Sequence, residues 1–574
     1  MKEGISNEDK SGNMYSYNED KKSNIIQSGA LRRSLGGKNP NFNSGENKED
    51  ISFNKDENDN YPDTVTIHID QSPPLYWMFF IVFTLIQVII IILIAFYFEW
   101  DKYYTGTEII SNTTNNTLNE TIDDTTDAIN ITGCHVFKTI EYKYKLFQEV
   151  NIMIFLGFGF LRSFLKHYSW TSVALTFIAG ILSTEFGLFM LISWSAIFRM
   201  QWYYGKFNFQ HLLDANLCAG AVVISLGPIL GKISMPQYLI LILTETVGVT
   251  FNYTLLRQVM KVIDIGGTLS VHLYGALFGG IFSFISFLSN SEKERIRYSR
   301  HLGTNYNSNV FALFGSLFLI SYWPAFNTCL LDDDLTRKVD NLDIRPKYEG
   351  MINTYLAIIG SIIGTFISSP LVNNGKLVLE DIINSSFAGG IAIGGCCHLI
   401  PHYFVSIIFG VFAGALTCFL CNILSQKFKF NGYHDTANAT YYHGIPGILG
   451  GIFTTIFVGN MPRIISNDDM KQKEYVYRYV GTFLDYYRNY TEFGKDEINF
   501  GNYAGMHFGA IFVTIIIALG CGFLAGFSIK FCNCNIAMRY FNDSEFFDVS
   551  DIEPFPWEDE EIKIKLKYHS DNKK

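Results

Sequence analysis

From about residue 75 to residue 530 the chain is built of long apolar runs parted by short polar breaks. A helix needs about 20 apolar residues to cross the hydrocarbon layer of a bilayer, so such runs leave few options. The first run extends from Leu75 to Phe98 and contains WMFFIVFTLIQVIIIILIAFYF. Eleven more follow, at approximately 148–165, 172–196, 213–230, 236–257, 269–289, 308–327, 350–371, 380–398, 402–425, 443–460 and 504–530. The expected fold is an all-α polytopic membrane protein with twelve transmembrane helices. Composition agrees: 48% of the 574 residues are hydrophobic and 17% are charged. The net charge of -10 sits mainly in tails and loops, and no basic patch of the kind that binds nucleic acid is present.

Three regions follow from this patterning. Residues 1–74 are rich in Asn, Lys, Asp, Glu and Ser and hold too little apolar surface to fold, so a disordered N-terminal tail is expected. Residues 75–530 form the membrane domain, and 531–574 form a tail that is first acidic and then basic. The loop after the first span carries the sequons Asn112, Asn115, Asn119 and Asn130, which marks it as a candidate glycosylated, external loop. Twelve spans put both tails on one side. Lys and Arg are concentrated in inside loops, and the segment 290–307 with Lys293, Arg295, Arg297 and Arg300 fits that side. Both termini are therefore expected in the cytoplasm of a multi-pass protein in the plasma membrane.

Inside the apolar region a single frame occurs twice. DIGGTLSVHLYGALFGG spans 264–280 and DTANATYYHGIPGILGG spans 435–451. Each has Asp, seven residues, His, six residues and Gly-Gly: Asp264, His272, Gly279 and Gly280, then Asp435, His443, Gly450 and Gly451. An ionisable residue inside a membrane helix is costly and points to function. In the twelve-span topology the two copies run in opposite directions, as in an inverted repeat of five spans plus five around a central pore.

The small residues Gly275, Ala276, Gly444 and Gly447 would let the two imidazoles meet between helices. Pro446 suggests a kinked start of the helix that holds His443. Desolvation keeps both rings neutral, and a neutral ring has one donor and one acceptor nitrogen. Such a pair suits a small neutral polar molecule such as ammonia or water, whereas a fixed cation would lose its hydration without compensation. Asp264 and Asp435 read equally well as helix N-caps or as acids that favour an approaching cation.

At these residues the chain resembles the Rhesus-type (Rh) branch of the ammonium transporter superfamily (Amt/Mep/Rh). FLGFGFLRSFL (155–165), LGPILGKIS (226–234), FALFGSLFLISYWPAFN (311–327), INTYLA (352–357) and VLEDIINSSFAGGIAIGGCCH (378–398) carry the likeness in order. The resemblance implies a homotrimer of independent pores, each with a core of eleven spans. It implies passage of ammonia, with methylamine or carbon dioxide as further candidates, and no cofactor or metal. By that likeness His272 and His443 are twin pore histidines, Asp264 and Asp435 are their symmetric acids, and Phe326 with Trp323 forms an external gate. Two departures stand on the outer side. Where typical Rh proteins have Asn-Ala-Asp-Phe-Cys, this chain has Asp214-Ala215-Asn216-Leu217-Cys218. Leu217 thus takes the place of a gate phenylalanine, with Asp214 and Asn216 as its vestibule residues. Where those proteins carry Asn-Glu, this chain has Asn252-Tyr253. Both departures favour a low-affinity, fast channel.

An ammonium sensor signalling through its cytoplasmic tails is the competing reading. An enzyme is disfavoured, because no nucleophile, metal cluster or phosphate loop stands out.

Overall fold

A computed structural model describes residues 73–100, 144–199, 205–207, 209–287, 303–331, 338–339, 342–343, 346–430, 433–465, 500–531, 543 and 547. Almost all of the two expected tails, the four sequons and the basic loop residues Lys293 to Arg300 lie outside the described residues.

Ten helices among the described residues are long and apolar enough to cross a membrane. They are α1 (Pro73–Tyr97), α2 (Ser169–Arg199), α3 (Phe209–Ser225, extended by the 3-10 turn Gly227–Ile229), α4 (Met235–Thr254), α5 (Tyr274–Phe287, which reaches spanning length with the π turn Thr268–Leu273 before it), α6 (Tyr306–Thr328), α7 (Pro346–Val372), α8 (Tyr403–Phe430), α9 (Ala439–Ile465) and α10 (Phe500–Phe531). The remaining regular structure includes two tiny strand pairs, Phe98–Trp100 with Gly205–Phe207 and Lys338–Val339 with Leu342–Asp343.

Two of the twelve expected spans are present as broken helices. Helical residues 144–151 run into a π turn, Ile152–Gly157, then the short helix Phe158–Leu161 and the 3-10 turn Arg162–Phe164. The segment after α7 splits into Leu379–Ser385, Ala388–Ile393 and the 3-10 turn Cys397–Leu399. Hydropathy sums over a window and does not register where the backbone hydrogen-bond path is cut. Broken backbone at membrane depth is tolerated only where protein surrounds it, and both segments are largely buried.

The outer helices meet lipid. On α1, Phe79 and Ile90 are buried, while Phe80, Ile81, Leu85, Ile89, Ile91 and Phe96 point outward. Elsewhere small residues bring helices together. Gly360 and Gly364 of α7 lie so close to α8 that the carbonyls of Ile407 and Val411 leave no room for a Cβ at either position. Such contacts replace the hydrophobic driving force that lipid does not supply.

The two copies of the repeated frame differ in backbone. In the first, Gly267 has a φ of 65°, a conformation glycine adopts readily. It starts a π-helical turn, Thr268–Leu273, that holds His272 before α5 begins. In the second, α9 is continuous from Ala439 through His443 and Pro446. Pro446 does not interrupt the helix. The helix begins seven residues before the proline, and the irregular backbone sits in the copy that has the Gly266-Gly267 pair instead.

Two described residues from the far end of the chain return to the start of α2. The Asp543 carboxylate accepts from the backbone N–H and Oγ1 of Thr171 at 2.8 and 2.6 Å. Phe547 meets Trp170 edge-on, with ring centroids 5.9 Å apart. The first turn of α2 thus obtains an N-cap from 372 residues away.

Helix contacts around the frame give a contrast that can be measured. A Cβ on Gly279 would fall 2.5 Å from the Ser225 carbonyl oxygen, and one on Gly450 would collide with that of Ala392, whereas one on Gly444 would sit 3.6 Å from the Ala276 methyl. Gly279→Ala and Gly450→Ala should each lower stability by about 1–3 kcal/mol through overpacking. Gly444→Ala should unfold close to the unchanged protein, as read by thermal unfolding in detergent.

Candidate pore site

His272 and His443 come together at the centre of the bundle. Their Nδ1 atoms lie 3.3 Å apart. The rings are nearly parallel, at 7° with centroids 5.4 Å apart. Both are buried. For two Nδ1 atoms to share a hydrogen bond, one ring must donate and the other accept, so the pair holds one proton between them. The donating ring then has a lone pair on Nε2, and the accepting ring has an N–H there. Nε2 of His272 finds no hydrogen-bond partner among the described residues.

Aromatic side chains wall the pair. Trp323 stacks on His272 at 5.4 Å and Phe326 leans on it at 5.9 Å. Phe387 and Phe158 pack on His443 at 5.6 and 5.9 Å. Trp323 in turn stacks on Phe387 at 5.0 Å. Phe158 and Phe387 stand in the motifs of the family likeness, but nothing in their spacing marks them as neighbours of a histidine. Leu217 is fully buried in the same apolar cluster as Phe326 and Trp323.

The two acids hold helix starts. Asp264 accepts from the backbone N–H of Leu269 and of Ser270, the latter at 2.8 Å, and from Ser270 Oγ. Asp435 accepts from the N–H of Ala439 at 3.2 Å and of Thr440 at 2.8 Å. Each carboxylate thus satisfies donors that a helix N-terminus leaves open. His507 braces the first copy. Its Nδ1 donates to the Tyr503 carbonyl, which leaves its Nε2 to accept the N–H of Ile263 at 2.9 Å.

The acid expected in the outer vestibule is already engaged. Asp214 accepts from the Tyr253 hydroxyl at 2.7 Å and pairs with Arg257 at 3.4 Å. The Arg257 guanidinium also covers the Tyr253 ring at 4.3 Å. Asn216 donates to Asn151 Oδ1 and accepts from Thr184 Oγ1. A charge paired in this way attracts an outside cation far less than an open carboxylate would.

His443 faces a polar cavity of about 540 Å³, whose lining includes Arg162, Glu380, Asn384, His434, Thr436 and Asn438. Buried Lys232 ties its walls together. Nζ donates to the carbonyls of Pro228 at 2.5 Å and His434 at 2.7 Å. The backbone N–H groups of Thr436 and Ala437 bond to Pro228 and Gly227 across the same seam.

The fold and the site together define a polytopic membrane protein with a buried histidine pair at its centre. The profile of the Ammonium Transporter Family matches residues 133–539. Ammonium transporter Rh type B of Mus musculus is 33% identical over 329 residues, covering 55% of this chain and 66% of that protein. Ammonium transporter Rh type A of Canis lupus familiaris is 31% identical over 327 residues, covering 55% of this chain and 72% of that protein. The match thus spans about two thirds of these relatives' own length. Among solved structures, Rh50 of Nitrosomonas europaea, described with the mechanism of conduction by the Rhesus protein family of channels, superposes with a TM-score of 0.57. It shares 21% identity and covers 76% of this chain and 98% of its own. Mep2 of Saccharomyces cerevisiae gives a TM-score of 0.51 at 14% identity, covering 73% and 93%. The chain belongs to the Ammonium Transporter Family, in its Rhesus-type branch.

The seam at Lys232 has a pH signature. Burial draws its pKa down to about 7, and Asp435 pulls it some of the way back up. Between there and the unfolded value of about 10.4, the unfolded chain binds a proton that the folded chain does not. Stability from this residue therefore rises with pH across that window. Lys232→Met should flatten the rise in a series of thermal unfolding measurements from pH 7 to 10.

Proposed function

We propose that the protein is a membrane channel for ammonia. The observation that carries this reading is the Nδ1–Nδ1 contact of His272 and His443 inside an aromatic wall. Ammonium leaves its proton in the outer solution, NH₃ passes the pair, and a proton from the inner solution restores ammonium. The Nε2 atoms of the two rings offer one acceptor and one donor, and NH₃, with three N–H bonds and a lone pair, can meet both. A cation held there would face rings and apolar edges in place of its water shell, which is costly.

Phe326 and Trp323 serve as the outer gate beside Leu217. With Asp214 and Asn216 engaged by neighbours, the outer approach concentrates ammonium weakly, which suits a fast pore at high substrate. Asp264 and Asp435 act through the helix starts that set the two rings. Methylamine and carbon dioxide are further candidate permeants. The assembly is a homotrimer in the plasma membrane with cytoplasmic termini, and Asn112, Asn115, Asn119 and Asn130 carry glycans. The support for these last features is the family likeness and the charge pattern of the loops. The sensor reading rests on tails that lie almost entirely outside the described residues.

Stopped-flow pH recording of proteoliposomes under an ammonium gradient tests the channel. His272→Ala and His443→Ala each leave the surviving ring's Nδ1 unsatisfied, a cost of about 1–3 kcal/mol, so flux should change by roughly tenfold. A double variant with unaltered flux would remove the histidine mechanism. In the same vesicles, Leu217→Phe should slow ammonia or sharpen its discrimination from methylamine. If neither changes, position 217 does not line the gate.

A further inference from the structure

The two ends of the histidine pair carry different electrostatics, and the difference lies at one residue. Phe158 packs on His443 much as Trp323 packs on His272. Each of these two aromatics is followed four residues later by a polar residue: Arg162 after Phe158, and Asn327 after Trp323. Asn327 is a neutral amide that donates to Thr354 Oγ1 and the Gly390 carbonyl. Arg162 is a full positive charge, since a guanidinium does not give up its proton in a protein.

Arg162 is 3% exposed and lines the cavity below His443. Its Cζ lies 5.8 Å from the Phe158 ring centroid, and that ring lies 5.9 Å from His443. Nη2 donates to the Ile224 carbonyl at 2.9 Å. Nε and Nη1 find no acceptor among the described residues. Nη1 lies against Gly227, beside the methyl groups of Ala437 and Ala439. A buried charge with two unmet donors is expensive, and packing alone would be served by an apolar side chain of that length.

Among the described residues no carboxylate forms an ion pair with Arg162. Asp435 spends its oxygens on the N–H groups of Ala439 and Thr440. It precedes His443 by eight residues, ahead of the start of α9 at Ala439. Glu245 of α4 accepts from Ser225 at the end of α3, and Glu380 accepts from Asn438 at the cavity rim.

We propose that Arg162 is a charge filter at the cavity end of the pore, which rests on the ammonia-channel reading above. Its fixed charge repels ammonium and protons from His443, so that only the neutral molecule crosses. Each transported nitrogen then moves no net charge. The opposite end, with Asn327, has no such barrier, so the filter acts from one side.

The test uses the full-length protein in proteoliposomes on a solid-supported membrane, with ammonium chloride as the probe. Neutral flux is read in parallel from the internal pH. The unchanged protein and Arg162→Lys should show neutral flux with little ammonium-driven current. Arg162→Met should raise that current on the order of tenfold, as removal of one unit charge about 10 Å away at an effective dielectric of about 20 requires. Arg162→Gln keeps donor groups without the charge and carries the same expectation if the Met variant does not fold. Neutral flux in all variants with no rise in current for Met or Gln overturns the filter and leaves the channel standing. Absence of ammonia flux from the unchanged protein overturns both.

Discussion

The shared proton between His272 and His443 is the interaction on which the rest of the structure depends. Leaving a buried imidazole nitrogen without a partner is costly, and the apolar surround supplies none for the two Nδ1 atoms. Each ring therefore becomes the other's partner. That solution requires two helices to approach until their Nδ1 atoms are 3.3 Å apart. It also requires glycine at 279 and 450, where the neighbouring carbonyls leave no space for a methyl group. The two aspartates complete the scheme from the ends. They do not touch the rings; they hold the first turns of the segments that carry them.

Around this pair the protein is apolar and aromatic, and its charges are kept at the two mouths. On one side Asp214 is closed off by Tyr253 and Arg257. On the other, Arg162 and Lys232 are buried beside a polar cavity, Lys232 bonded to the carbonyls of Pro228 and His434 and Arg162 to that of Ile224 through Nη2 alone. Among the described residues, neither mouth presents an open carboxylate ring of the kind that gathers cations.

Much of this is legible from the residues in order. The spacing of Asp, His and Gly-Gly at 264–280 and 435–451 identifies the pair, because a buried histidine and the start of its helix must keep a fixed distance along a chain. Length and apolarity identify the long helices. What cannot be read is of two kinds. The segment 152–164 is as apolar as the intact spans, and although Glu380, Asp381 and the glycine pairs 389–390 and 394–395 make 379–399 less so, where each one breaks depends on what packs beside it. Pro446 draws attention in sequence, yet the change in helix type falls in the other copy, where the left-handed Gly267 looks like any other glycine. The remaining gap concerns partners distant in sequence. The link from Asp214 to Arg257 spans 43 residues and that from Lys232 to His434 spans 202. No local pattern announces either.

The π turn at Thr268–Leu273 has a consequence for how the two halves relate. The halves share one spacing in sequence, yet one reaches its histidine by an i→i+5 turn and the other by ordinary α-helix. Equal counts of residues therefore deliver the two rings at different angles around their helix axes. The halves are not modules that could be exchanged. A protein assembled from two copies of either half would keep both histidines, at the right depth, and aim one of them away from its mate.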